Sequence, residues 1–294
     1  MTSKIDRAQF LRAAGAVAVV AATGQSMAEG AYKSSWPEAT LKQLRHPSLK
    51  DRVVLITGGG SGIGASIVRH FCAQRARVAF IDIAAAASSA LRDEIGAGGG
   101  TAPVFIEADL RDIAALRQAV SRVERELGPI RALVNNAARD DRHDWREVTP
   151  EYWNAVLDVN LRHQFFALQA VAPAMAAAGG GSIVNFGSIS WMRKAPGMVG
   201  YTTAKAAVEG LTRTMARELG PMNIRVNAIV PGATRTECQV ALWWTDETMA
   251  RFRREQCLDR IVEPPDIARM ALFLAADDSA AITAQSFRVD AGLA

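Results

Sequence analysis

From Arg52 onward the chain repeats one pattern, and few folds can accept it. Short runs rich in valine, isoleucine and alanine are separated by amphipathic segments of helical length. The runs are RVVLIT (52–57), RVAFIDI (77–83), APVFIEADL (102–110), ALVNNAA (132–138), SIVNFGSIS (182–190) and IRVNAIVPG (224–232). A strand with one wet face alternates polar and apolar residues. These runs are close to continuously apolar, so both of their faces must be covered. Strands covered on both faces and joined by helices form a parallel sheet, because a parallel crossover needs the length a helix supplies. The pattern predicts an α/β fold: a doubly wound, Rossmann-type parallel sheet spanning 50–294 as a single domain, with residues 1–49 as an N-terminal extension.

Charge separates the same two regions. Residues 1–50 hold seven Lys/Arg against three Asp/Glu, while the remaining 244 hold 27 against 27. The body is neutral, which excludes the basic footprint of a nucleic-acid binder. Within the extension, an apolar stretch follows Arg7, Phe10, Leu11 and Arg12, and Ser26-Met27-Ala28 resembles a small-x-small cleavage site before Glu29. The order resembles a twin-arginine export signal, but Ala8 stands where the second arginine belongs. The run Ala13–Ala22 is about half the ~20 residues a bilayer span requires, so no membrane anchor is expected. The segment reads either as a degenerate export signal, with a periplasmic destination, or as an alanine-rich arm on a cytoplasmic protein. Residues 31–49, with Pro37 and Pro47, read as a linker. Cys72, Cys238 and Cys257 are odd in number and lack ligand spacing, and the four histidines are scattered. Neither a disulfide framework nor a metal site is expected.

The first strand runs into Thr57-Gly58-Gly59-Gly60-Ser61-Gly62-Ile63-Gly64, which opens the first helix. Glycines there permit a tight turn and let backbone N–H groups approach a pyrophosphate at the positive helix end. Gly58, Ser61, Gly62, Ile63 and Gly64 are therefore candidate cofactor contacts. Asp82 ends the second strand eighteen residues after Gly64. A carboxylate there can accept the adenosine ribose hydroxyls and would repel a 2′-phosphate, which favours NAD over NADP. The plainer alternative is an aspartate that caps the next helix.

Ser188 precedes Tyr201 by thirteen residues, and Lys205 follows Tyr201 by four. At i and i+4 the tyrosine and lysine share one helix face. A nearby ammonium and a positive nicotinamide ring would favour phenolate, making Tyr201 a base with a pKa below the ~10 of free tyrosine. Ser188, at the carboxyl end of a strand where such sheets bind ligands, could hold the substrate oxygen. These groups suit oxidation of an alcohol.

The combination of TGGGSGIG, NNAA (135–138), Ser188/Tyr201/Lys205 and PG (231–232), in this order and spacing, resembles the short-chain dehydrogenase/reductase family over nearly all of 50–294. The resemblance implies a Rossmann-type oxidoreductase working as a homo-oligomer, commonly a tetramer. It implies Asn160 as a fourth catalytic residue holding a proton-relay water. It also implies Asp109 and Leu110 beside adenine, Asn136 beside the cofactor ribose, and Pro231, Gly232 and Thr236 around the nicotinamide amide, with Tyr201 and Lys205 also touching the cofactor. Two positions depart from the usual glycines of the family, Ala138 in NNAA and Ala284 in Thr283-Ala284-Gln285. Each adds a methyl where glycine can use φ > 0 or permit close approach.

DDRHD (140–144), NLRHQ (160–164), NFGSISW (185–191), EQCLDRIVEP (255–264) and VDAG (289–292) resemble bacterial NAD-dependent D-xylose 1-dehydrogenases. That implies oxidation of an anomeric hydroxyl to a lactone, with a pentose such as D-xylose as substrate. Asp140, Asp141, Arg142 and His143 could hydrogen-bond sugar hydroxyls, and Trp191, Trp243 and Trp244 could stack on a pyranose face. A solvated loop and packing tryptophans are the plainer alternatives. Two further readings stand beside the aldose one: a dehydrogenase of another secondary alcohol (a sugar-acid intermediate or cyclic diol), and a non-catalytic NAD-binding sensor.

Overall fold

The computed structural model describes residues 46–294; the signal-like segment and most of the linker lie outside them. Six strands form where the apolar runs lie. β1 (Val53–Thr57) leads into α1 (Gly62–Ala73), β2 (Arg77–Asp82) into α2 (Ala85–Ala97), and β3 (Val104–Glu107) into α3 (Ile113–Leu127). β4 (Ala132–Asn135) is followed by α4 (Pro150–Leu157), one π turn at Asp158–Arg162, and α5 (His163–Ala177). β5 (Gly181–Phe186), α6 (Val199–Leu219) and β6 (Ile224–Pro231) complete this set. A short α7 (Glu237–Leu242), α8 (Asp246–Glu255) and α9 (Pro264–Ala275) precede a seventh strand, β7 (Ser286–Val289). The order across the sheet is β3-β2-β1-β4-β5-β6-β7, and every pairing is parallel.

The strands are apolar throughout because alternate residues enter opposite cores. Val54 and Ile56 of β1 pack with α1 and α9 on one face, while Val53 and Leu55 pack with α3 and α5 on the other. α3 shows the matching helical spacing: Leu116, Ala119, Val120 and Val123 form its buried stripe. Its start is fixed by the Asp112 side chain, which accepts from the N–H groups of Ala114 and Ala115.

Strand order reverses between β1 and β4, and the loops leaving their carboxyl ends diverge there. In an open α/β sheet that divergence opens the crevice where ligands bind. β5 is shorter than its apolar run, ending at Phe186, so Ser188 lies on a loop just past the strand. Among the described residues, no helix is long and apolar enough to cross a membrane, and no cluster of three His, Cys, Asp or Glu could hold a metal ion.

Candidate active site

At the carboxyl end of β1 the backbone turns through Gly58 at φ +67°, and a Cβ there would lie 2.7 Å from the Ala137 Cα. Gly64 is more constrained still. A Cβ on it would meet the Gly58 carbonyl at 1.8 Å, so only glycine lets the loop fold back on the first turn of α1. The Asn136 amide braces this loop by donating to Thr57 O at 3.2 Å and Gly58 O at 2.8 Å. The Asp82 carboxylate accepts from Gly60 N–H at 2.8 Å and Ala84 N–H at 2.9 Å. It therefore joins the glycine loop to the loop after β2 and does not cap α2, whose N-cap is Ala84. Ser61, the N-cap of α1, is exposed and makes no side-chain cap, which leaves the positive helix end to an outside anion. A glycine cradle that side chains would fill, an uncapped helix N-terminus and a carboxylate at the end of β2 together fit a dinucleotide. Ile63 is partly buried in the same turn.

Of the other expected cofactor positions, Thr236 borders this cradle. A Cβ at Gly62 would be 3.3 Å from the Thr236 methyl, so the start of α7 borders the cradle. Thr236 caps α7, accepting from Gln239 N–H. Pro231 and Gly232 lie where β6 leaves the sheet. The Pro231 carbonyl accepts from Ile189 N–H, and a Cβ on Gly232 would reach within 2.5 Å of the Asp290 Cα. Asp109 is engaged by Arg111, which donates to it from both backbone and guanidinium. Burial works to raise the Asp109 carboxyl, but the Arg111 hydrogen bonds and charge outweigh it and hold it below the usual carboxylate range. Leu110 is buried in the core beneath.

The Ser188 hydroxyl bears on the Tyr201 phenol and favours its ionised form. Ser190 N–H donates to Ser188 Oγ at 3.2 Å, leaving the serine O–H free to donate. α6 places Lys205 in its buried stripe with Ala204, Val208 and Thr212, and the ammonium lies 5.7 Å from the Tyr201 ring centroid. Lys205 Nζ donates to Phe186 O at 2.9 Å. The expected lowering of the tyrosine is not a property of the protein alone. Burial pushes Tyr201 up to about 12, reinforced by the Asp140 charge and opposed by the Ser188 hydrogen bond and by Arg142. Burial pushes Lys205 down to about 7, partly offset by Asp140. An amine that burial leaves only partly protonated at neutral pH is a weaker influence on the phenol than the i, i+4 spacing alone suggests.

Asn160 sits in the π turn, fully buried. Its amide donates to Arg139 O and Val156 O, each at 3.0 Å, and its Oδ1 accepts from Arg139 N–H at 3.0 Å. The side chain thus clamps the loop after β4 from both sides. Beyond the clamp, Asp140 Oδ2 accepts from Gln239 Nε2 of α7 at 2.8 Å, and the Arg142 guanidinium lies 4.9 Å from the Trp243 ring centroid. His143 bonds the Tyr152 hydroxyl at 2.7 Å, and Asp141 pairs with Arg139. Trp244 packs on Phe252 at 5.6 Å. Trp191 lines a hollow with Lys194, Ala195, Thr202, Thr203 and Ala206, on a flank of α6 turned away from the Tyr201–Lys205 face.

Two glutamines at the site carry no sequence signal as functional residues. Gln239 meets Asp140 across 99 positions of chain. Gln164, within the quoted NLRHQ, donates to Phe186 O at 3.3 Å and Asn160 O at 3.1 Å, beneath the catalytic face. Ala138 lies outside the positive-φ residues and is exposed, so its methyl is accommodated without strain, whereas Ala284 holds φ +60°.

Residues 58–294 match the family model described as Enoyl-(Acyl carrier protein) reductase. The chain is 53% identical over 254 residues to "Probable galactose dehydrogenase GalD" of Rhizobium meliloti, covering 86% of this chain and 99% of that one. It is 47% identical over 247 residues to D-xylose 1-dehydrogenase of Caulobacter vibrioides, covering 84% and 97%. A solved 3-oxoacyl-[acyl-carrier protein] reductase with bound NAD from Brucella melitensis superposes with a TM-score of 0.78 at 32% identity, covering 89% of this chain and 97% of that one.

Proposed function

Because the chain belongs to the short-chain dehydrogenase/reductase family, oxidoreductases acting on CH–OH donors, we propose that it is an NAD-dependent aldose 1-dehydrogenase. In this reading it oxidises the anomeric hydroxyl of a sugar such as D-xylose or D-galactose to the lactone. The observation that carries the reading is Tyr201, with the Ser188 hydroxyl bearing on it and the buried Lys205 ammonium 5.7 Å from its ring, on a chain that matches 97–99% of the length of galactose and xylose dehydrogenase relatives.

The Ser188 O–H, its oxygen already held by Ser190 N–H, orients the reacting sugar oxygen against Tyr201. Ionised Tyr201 takes the proton from that oxygen while the C1 hydrogen leaves as hydride, and the new C1=O bond converts the cyclic hemiacetal into the lactone. A dinucleotide held by the glycine cradle, the first turn of α1 and Asp82 would supply the hydride acceptor. Lys205, when protonated, favours the phenolate over the phenol. Asn160 keeps the loop after β4 seated so that the sugar meets a fixed wall. Residues 50–294 form the catalytic domain in this reading, with residues 1–49 as an extension. Ala8 in place of an export arginine supports a cytoplasmic enzyme, where NAD is recycled; mature protein starting near Glu29 in a periplasmic fraction would exclude it.

The test is a panel of aldoses with NAD, followed by NADH absorbance. Turnover of pentoses or hexoses with lactone as first product supports the reading. A panel on which only non-sugar alcohols react excludes it.

A further inference from the structure

The Asp140 carboxylate has no task in the proton transfer described above, yet it stands beside it. Its charge acts on both Tyr201 and Lys205, and burial pushes the carboxyl above its ordinary range. Its side-chain hydrogen bond from another element comes from Gln239 of α7, a neutral amide. The Arg142 charge and a backbone hydrogen bond also favour the carboxylate, but together with Gln239 they do not outweigh its burial and the neighbouring Asp141, and the Arg142 guanidinium lies over Trp243. Holding a carboxylate partly out of water with its donors so incomplete is costly unless further donors reach it. An ionised carboxylate can accept from several donors, and what reaches the Tyr201 face is the substrate.

We propose that Asp140 is a specificity-determining residue that accepts a hydrogen bond from the hydroxyl on the carbon next to the one being oxidised. The site then reads a vicinal pair of hydroxyls and disfavours alcohols that carry only one. The inference rests on the aldose reading and deepens it. A substrate lacking the second hydroxyl would leave the carboxylate short of a donor, and sites built to bond a hydroxyl reject analogues without it strongly. Because Gln239 holds the same carboxylate, substrate arrival and the seating of α7 are linked through one group.

The experiment is a substrate-deletion cycle. kcat/KM is measured for the protein, Asp140→Ala and the isosteric Asp140→Asn on an aldose and its 2-deoxy form, and on trans-cyclohexane-1,2-diol and cyclohexanol. In the unaltered protein, loss of the neighbouring hydroxyl should lower kcat/KM by at least ~100-fold. In Asp140→Ala that ratio should shrink to under about 5-fold, with Asp140→Asn between them and the loss on the parent sugar mainly in KM. Any effect of Asp140 on Tyr201 acts on both members of a pair and cancels in the ratio. NADH binding, read by fluorescence, should be the same in all three proteins. A ratio that stays large in Asp140→Ala would reduce Asp140 to a latch for α7 and overturn the inference. A ratio near one in the unaltered protein overturns it too, with the aldose reading intact. If no aldose reacts but the diol does, the aldose reading fails and the cyclohexane pair decides the inference. If neither reacts, both fall.

Discussion

Lys205 and Gln164 donate to the same oxygen, the carbonyl of Phe186 at the end of β5, from 2.9 and 3.3 Å. Removing the lysine therefore leaves no orphaned acceptor, and its effect on stability follows from its own burial. The amine titrates near 7 in the fold against 10.5 when free. Between those values the unfolded chain binds a proton that the folded one does not, so stability rises with pH across that window. Lys205→Met removes this penalty. The variant should melt a few degrees above the unaltered protein at pH 6, with the difference shrinking by pH 9, while activity and NAD affinity fall. Calorimetry at pH 6, 7.5 and 9 reads this directly, and a variant markedly less stable at pH 6 would contradict it.

Tyr201→Phe keeps the ring and deletes the hydroxyl that, in the proposed mechanism, takes the proton. kcat should fall by roughly 10²- to 10⁴-fold with NADH binding retained. Ser188→Ala should also lower kcat more than it changes cofactor affinity. In the unaltered protein the rate should climb from pH 6 to 9, since the base works deprotonated and burial holds Tyr201 near 12. A midpoint below about 10 would report the charge that a bound cofactor brings to the phenol. Retention of most sugar-dependent NADH formation in Tyr201→Phe would require another base.

Asp82 ties Gly60 to Ala84 and, in the proposed reading, also sets the cofactor preference. NAD should outperform NADP in kcat/KM, and Asp82→Ala should narrow the gap mainly through KM. Losing both hydrogen bonds, each worth about 1 kcal/mol, should also lower Tm by several degrees. Equal turnover with NADP in the unaltered protein would remove the preference, whatever the variant does.

Ala284→Gly should stabilise the protein. The residue sits at φ +60°, where a Cβ costs about 1–2 kcal/mol, and glycine gives back about 0.4–1 kcal/mol through its freer unfolded chain. Its N–H bond to Val226 O at 2.8 Å is unaffected. A Tm gain of a few degrees is expected, with no gain for Ala138→Gly, whose φ is not positive. Thermal unfolding of the two variants side by side makes the comparison.

Continuous apolar runs revealed six of the seven strands because burial on both faces leaves a one-dimensional trace. β7 left none: SFRV is short, half-polar and, among the described residues, at the sheet edge beside β6. The glycine turn and the Tyr201–Lys205 spacing were legible because each depends on neighbours in sequence. The Asp140–Gln239 bond and the shared Phe186 carbonyl depend on loops brought together by the sheet. The rise of Tyr201 and the fall of Lys205 depend on desolvation, which spacing does not encode.

The grip of Asn160 on Arg139 has a bearing on how such an enzyme could be retargeted. Both backbone polar groups of Arg139 are taken by one interior side chain, so the loop has a bolted root, while Asp140, Arg142 and His143 beyond it reach Gln239, Trp243 and Tyr152. In the aldose reading, exchanging 140–144 for another sequence would alter what is grasped while the Asn160 grip stays in place. New substrate preferences would then be reachable through a handful of consecutive codons, provided the replacement keeps the balance of charge that Asp140 and Arg142 set at Tyr201.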